Sequence, residues 1–449
     1  MDIISLLPQT GSLFMTILAF VVALSVIVAV HEFGHYIVGR WSGIRAEVFS
    51  LGFGPVVFAR TDRQGTRWQV AALPFGGYVK FLGDADAASG KDGAAMAAMP
   101  EERLRQTMHG APLWARTATV AAGPVFNFLL SILIFTAVMM SGGKIAEPLT
   151  VGALKPLPVE GVTLRPGDQI VRVAGLPIPP GTGAAESHDA FLDALPAEPL
   201  LDYEVIRDGQ LREVQGPQLM PPLVGGVSPQ SAAFDAGLRG GDVIVAVDGR
   251  PVHAFRELRE IVEGSDGAPL ALTVWREGEV LNLTLVPRRT DEPQPGGGFR
   301  TRWRIGVAGA MAFEPATEAL GPVEALGRAV AQTGQIIQGS LSGLYHMITG
   351  AISTCNMSGP IGIAEVSGAM ASQGAQSFIW FIAVLSTAVG LLNLFPVPVL
   401  DGGHLVFYAY EAVTGHPPSE RALRVLMAAG LTLILSLMLF ALFNDIFCP

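Results

Sequence analysis

Two histidines and a glutamate stand close together in His31-Glu32-Phe33-Gly34-His35, at the end of an apolar run, Leu13–Val30, that carries no charged residue. If the run is helical, positions i and i+4 share a face, so both imidazoles can hold one divalent ion. Glu32, between them, can then take a proton from a water beside that ion. Ionisable groups are costly at membrane depth, and three of them at one place argue for a functional site.

A hydrolytic zinc site keeps three protein ligands and one open position. The third donor is expected in Asn393–His404, "NLFPVPVLDGGH", where Asp401 ends another apolar run. His404 competes for the same role. Asp401 is favoured because it sits nearer the apolar run, between a proline-broken stretch (Pro396, Pro398) and Gly402-Gly403. Irregular backbone at membrane depth is tolerated where it lines a cavity.

Four stretches are long and apolar enough to cross a bilayer: Leu13–Val30 continuing to about Val38, Thr117–Ser141, Phe378–Leu400 and Val425–Asn444. Half of the 449 residues are hydrophobic and 15% are charged, and the mean hydropathy is +0.44. This is the composition of a multi-pass membrane protein. The net charge of −10 speaks against nucleic acid as a partner. The N-terminal run has no basic residue before it and is too long for a cleaved signal peptide. Cys355 and Cys448 are too few for a disulfide framework and read as two unpaired small apolar residues.

Ten Lys and Arg lie between Arg40 and Arg116, and Arg421 and Arg424 lie in the last loop. Those loops are therefore expected in the cytoplasm, with both termini and the long segment between spans two and three outside. The first and third spans then end at the same face, which lets His31, His35 and Asp401 meet. The stretch Asp84–Met99, rich in Ala, Gly and Asp, reads as a mobile cytoplasmic insert.

The outer segment holds a repeat. "LRPGDQIVRVAGLPI" (164–178) and "LRGGDVIVAVDGRPV" (238–252) share nine of fifteen residues. The second copy, 222–310, resembles a PDZ domain, with Gly225-Gly226-Val227 read as its peptide-binding loop; the first, 142–221, is a degenerate copy. PDZ modules either capture peptide ends or act here only as steric filters. Residues 311–375 read as an amphipathic connector, with Leu326, Val330, Ile337, Leu341 and Ile348 on helical spacing. It lies either along the membrane surface or against the PDZ pair. Residues 1–141 and 376–449 form the two parts of the membrane core.

A membrane-embedded H-E-x-x-H, a distant N-x-x-P-x-x-x-L-D-G-G and two PDZ-like copies between spans two and three resemble the site-2 protease family of intramembrane metalloproteases. Within it, the chain is similar to the bacterial group of regulator-of-sigma-E proteases. The resemblance implies a four-span α-helical membrane protein with a membrane-reentrant β-hairpin and two extracytoplasmic α+β modules. It implies zinc held by His31, His35 and Asp401, with Glu32 as general base. "FGGYVKF" (75–81) resembles the family's reentrant hairpin, so Gly76, Gly77 and Tyr78 are expected to meet substrate. Asn127, in "GPVFN" (123–127), and Asn393 with Pro396 are expected to bind substrate backbone, or the two asparagines serve as interhelical glue. The implied substrate is a single-span membrane protein, such as an anti-sigma factor, already trimmed outside by a site-1-type protease. Remnant signal peptides are a second implied substrate. A scaffold that has lost catalysis is the rival reading, and intact Glu32 argues against it. "NMSGPIGIAEVSG" (356–368) has no chemical role assigned.

Overall fold

The computed structural model describes residues 10–85, 93–180, 185–294 and 298–448. They form two compact units, one of residues 1–138, 322–348 and 354–449, the other of 139–321 and 349–353.

The first unit is built on helices. α1 (Thr10–Trp41) and α2 (Leu113–Gly142) are both long enough and apolar enough to cross a membrane. Among the described residues four helices meet that standard, the others being Ala375–Asn393 and Glu420–Phe447. α1 and α2 close on each other through glycine: a Cβ on Gly34 would come within 2.6 Å of the Ala122 carbonyl. Small residues of this kind let membrane helices approach where no hydrophobic force drives them together. Serines then tie the second span to the third. Ser131 donates to the Ala383 carbonyl at 2.8 Å, and Ser386 to that of Asn127 at 2.9 Å.

Between α1 and α2 lie two long antiparallel strands, β1 (Ala46–Thr61) and β2 (Arg67–Phe81). Each folds back on itself. Val48–Leu51 pair on one side with Gly77–Lys80 and on the other with Arg67–Val70, while Val56–Thr61 close the far edge. The expected hairpin is thus a four-rung sheet, with Gly77–Phe81 as the edge nearest α1. Its tip is apolar and open: Phe53, Val56, Val57, Phe58 and Leu73 are all exposed. Of the insert expected at 84–99, residues 86–92 lie outside the described residues. Asp84 is not part of a loose loop, since it is buried and accepts the Phe81 N–H at 2.9 Å.

The second unit holds two sheets of the same plan. In the first, β4–β5–β6–β7 are Gln169–Val173, Leu176–Pro177, Leu200–Arg207 and Gln210–Pro217; in the second, β9–β10–β11–β12 are Val243–Val247, Arg250–Pro251, Leu270–Arg276 and Glu279–Leu285. Each sheet runs second, first, third, fourth in strand order. A ten-residue helix follows the second strand of each: α3 (Ala185–Ala194) and α4 (Phe255–Gly264). The repeat in sequence is therefore a repeat in structure, and the aspartate of its most similar stretch makes the same ion pair in each copy. Arg207 grips Asp168 through Nε and Nη2 at 2.7 and 2.6 Å; Arg276 grips Asp242 through the same atoms at 2.6 and 2.7 Å. Both aspartates also accept a backbone N–H three residues back, from Arg165 and Arg239.

Two expectations about this unit are corrected. Gly225, Gly226 and Val227 are not a loop but the strand β8 (Val224–Val227), paired with β13 (Val307–Gly309). Val224, Gly226 and Val227 are in register with β13, and a Cβ on Gly225 would sit 2.9 Å from Ala310. Nor does residue 311 open the connector. β14 (Phe313–Pro315) pairs with β3 (Val151–Leu154), and Ala312 and Phe313 join the core of the first repeat with Val151, Ile170 and Tyr203. The second repeat is thus inserted within the first.

After this unit come α5 (Pro322–Ile348), which belongs to the membrane unit, and α6 (Pro360–Ser372), which packs along α1. The third span, α7 (Ala375–Asn393), ends seven residues before the expected Leu400, and residues 394–400 form turns. Pro396 and Pro398, which lack a donor, explain the early stop. α8 (Asp401–Thr414) and α9 (Glu420–Phe447) complete the chain.

The two cysteines are not free: Cys355 and Cys448 form a disulfide across 93 residues. Cysteine count could not show this, because pairing depends on α9 ending beside the 354–356 turn. Two more links hold the same place. Asn444 donates to the Thr354 carbonyl at 2.8 Å, and Asp445 accepts the N–H groups of Gly359, Ile361 and Gly362 at the start of α6. The motif 356–368 thereby acquires a structural role as the seat of α6.

Candidate metal centre

The centre is assembled from three helices. α1 presents His31 and His35 from successive turns, with their Nε2 atoms 3.1 Å apart. α8 begins at Asp401, whose Oδ2 lies 3.1 Å from His31 Nε2 and 3.5 Å from His35 Nε2. Gly402 and Gly403 make that approach possible. A Cβ at either would collide with the carbonyls of Leu394, Phe395 or Val397 as the turn folds back over the start of α8. His404 is turned away, its Nδ1 facing the Leu400 carbonyl at 3.2 Å. Of the two candidates, Asp401 is the one brought to the histidines.

α2 supplies what surrounds them. His35 donates from Nδ1 to the Thr119 carbonyl at 2.8 Å, which leaves Nε2 as an electron-pair donor. The Asn127 amide lies 3.2 Å from His31 Nδ1, fully buried. Nε2 ligation puts the proton on Nδ1, and the amide then accepts it through its oxygen. Gly123 lies between the two: a Cβ there would run into the His35 ring and sit 2.8 Å from His31 Cε1.

Three electron-pair donors thus point at one place, with their ligand atoms within 4.8 Å of one another. Asp401 Oδ2 is buried without a hydrogen-bond donor. Such a cluster repels itself, and a small divalent cation relieves the repulsion. Two imidazoles and one carboxylate suit zinc and leave a coordination position free. The group fits.

Glu32 lies beside the histidines on α1, with the edge strand passing close to it. A Cβ on Gly77 would fall 3.1 Å from Glu32 Cγ and 2.9 Å from Val28. The neighbouring Gly76 has φ +120°, a conformation that favours glycine, and leaves no room for a side chain against Phe53. Tyr78 stacks on Phe53 and its hydroxyl accepts from Gln69. Asn393 donates to its own helix, at the Val389 carbonyl, and Pro396 sits in the turn before Asp401. Asn127 is drawn to His31, a role that the residue type alone did not disclose.

A His-His-Asp donor set beside a glutamate, at the end of a helix long and apolar enough to cross a membrane, defines a class, the membrane metallohydrolases. The comparisons with known proteins are narrower. The model of peptidase family M50 matches residues 19–437. A protein of Agrobacterium fabrum named as a zinc metalloprotease is 37% identical over 446 residues, 98% of each chain. One of Rhizobium meliloti with the same designation is 38% identical over 432 residues, 96% of each. The regulator of sigma-E protease RseP of Salmonella typhimurium is 35% identical over 463 aligned positions, covering 97% of this chain and 99% of that one. The chain belongs to peptidase family M50, the site-2 proteases, and is a zinc metalloprotease.

Proposed function

We propose that the protein is an intramembrane endopeptidase that cuts the membrane-spanning segment of single-span proteins already trimmed outside. Anti-sigma factors are the leading substrate class, with remnant signal peptides a second. The convergence of His31, His35 and Asp401 beside Glu32, at the end of an apolar helix, carries this reading. His31, His35 and Asp401 would hold the zinc ion. When bound, it supplies Lewis acidity toward a water and a peptide carbonyl. Glu32 takes the proton of the attacking water and returns it to the departing amine. Thr119 and Asn127 keep both imidazoles in the ligating tautomer.

A helical substrate has its backbone groups bonded internally, so it must unwind before it can be cut. The Gly77–Phe81 edge, beside Glu32, is suited to receive the unwound segment as an added strand. Gly76 and Gly77 keep that approach clear, and Tyr78, Asn393 and Pro396 would border it. The apolar tip of the sheet suits insertion into the membrane from one face.

Both modules of the second unit are read as PDZ domains, the second inserted in the first. The Gly225–Val227 strand is already paired, so peptide capture in the second module falls to β13. Among the described residues, no backbone carbonyl accepts from the Ile305 and Gly306 N–H groups just before it. Orientation has independent support from the disulfide. Such bonds persist on the oxidising side of the inner membrane, so the end of α9 is assigned to the periplasm. Counting back through four spans assigns the PDZ pair and the start of α1 to the same side.

The deciding experiment is cleavage of a single-span reporter with a shortened ectodomain in membranes, comparing the parent with Glu32→Gln. Cutting within the span by the parent alone is expected. If neither protein cuts while the parent retains zinc, a membrane scaffold is the better reading.

A further inference from the structure

Asp401 is the first residue of α8, and α8 leaves the 394–400 turn with little to steady it. Leu405 and Tyr408 lean on the cluster formed by Tyr36, Phe49, Phe81 and Ala115. Apart from Asp401 itself, the one ion pair joining α8 to another element, among the described residues, is made by Glu411. Its two oxygens accept from Arg116 Nη2 at 2.6 Å and Nη1 at 3.0 Å. Arg116 also donates from Nε to the Ala111 carbonyl at 3.0 Å, and its guanidinium lies 5.3 Å from the centre of the Tyr408 ring. The two side chains are only 15% and 16% exposed.

A largely buried ion pair contributes little net stability, because desolvation offsets the attraction. What a bidentate fork does provide is direction, since two parallel hydrogen bonds fix both angle and distance. The place of Arg116 matters as well. Arg116, Thr119, Gly123 and Asn127 are spaced i, i+3, i+7 and i+11, so they lie along one face of α2. Thr119 and Asn127 engage the outer nitrogens of the two histidines, and Gly123 clears the space between them. Arg116 engages the helix that carries the third donor.

We propose that Arg116 and Glu411 are positioning residues that align α8 so that Asp401 meets the two histidines. One face of α2 thereby sets all three donors of the metal centre. Ten residues separate Glu411 from Asp401, roughly 15 Å along the helix. Over that length a tilt of a few degrees moves the carboxylate by about 1 Å, enough to spoil a ligand set.

This inference rests on His31, His35 and Asp401 being the zinc ligands, so the test includes His31→Ala as a check on that reading. The full chain is purified in detergent, and zinc affinity is measured by competition with a chromophoric chelator. Thermal unfolding of the metal-free protein is measured in parallel. The variants are Glu411→Gln and the paired Arg116→Met with Glu411→Met. Glu411→Gln is expected to bind zinc about 10–100-fold more weakly, the usual cost of losing a residue that orients a ligand. In the paired variant two apolar chains replace the ion pair, so the unfolding temperature recovers while zinc affinity does not. Affinity in Glu411→Gln within about threefold of the parent overturns the proposal. So does affinity that follows the unfolding temperature across the three proteins, since the pair would then be structural only. If His31→Ala binds zinc as the parent does, the ligand assignment itself fails, and this control separates that failure from the others.

Discussion

Gly123 shows how much a single missing side chain decides. A methyl group at that position would occupy the space between the rings of His31 and His35. Gly123→Ala is expected to leave the protein inserted in the membrane but with less than about a tenth of the parent's bound zinc, measured by metal analysis after purification. Asn127 makes the contrasting case. Asn127→Ala removes the acceptor for His31 Nδ1 and is expected to weaken zinc binding about 10–100-fold. Asn127→Asp keeps an acceptor and is expected to retain most of the affinity. Equal losses in the two variants would mean that Asn127 fills space rather than orients the ring. The residue types at 31, 32 and 35 were legible as a metal motif because i, i+4 spacing alone places the two histidines on one face, with a glutamate beside them. The roles of Thr119 and Asn127 were not, because a backbone carbonyl has no signature in sequence and an amide in a membrane helix has several uses.

Among the elements, the duplicated Gly-Asp turns carry a shared device. Asp242 is 1% exposed, and its partner Arg276 is 23% exposed. Asp242→Asn leaves a buried guanidinium contact unpaired and is expected to cost about 2–3 kcal/mol. This is below the ~3–5 kcal/mol of a wholly buried pair, because water still reaches the arginine. Denaturant unfolding followed by circular dichroism would measure it. Asp168 adds a pH dependence. Burial alone would raise its carboxyl, but the Arg207 fork and the Arg165 N–H pull it below the usual range. Its stabilisation is therefore complete above about pH 4, the unfolded carboxyl's range, and is lost as pH falls through the lower folded value. Protection of the amides around residues 168–207, taken relative to their intrinsic exchange rate, is expected to hold from neutral pH down to about pH 4 and to fall only below it. Sequence identity revealed the repeat, but not that its outer strands come from a distance. β13 and β14 are short segments whose partners lie some 80 and 160 residues earlier, and short strands take their pairing from tertiary context.

For the whole molecule, orientation is the property most open to test. If the proposed topology holds, protease added outside spheroplasts digests residues 142–321 and spares the Arg40–Arg116 loop. The disulfide gives a second reading of the same arrangement. A maleimide reagent is expected to label no cysteine until reductant is added, and both Cys355 and Cys448 afterwards. Labelling without reductant would place the end of α9 in a reducing compartment and reverse the topology. Apolar length determined the spans, because a span depends on local composition and on the thickness of a bilayer, while the distribution of arginine and lysine supports only the proposed orientation. Hydrophobic period and turn residues likewise determined two copies of one module. What only the tertiary structure decided is how distant parts are joined. Asp401 rather than His404 reaches the histidines because Gly402 and Gly403 let the turn fold over the start of α8. The cysteines pair because α9 ends beside residue 355, and the second module closes inside the first because Phe313 returns to a core begun at Val151. Each of these depends on where a chain goes after many residues, and no local pattern encodes that.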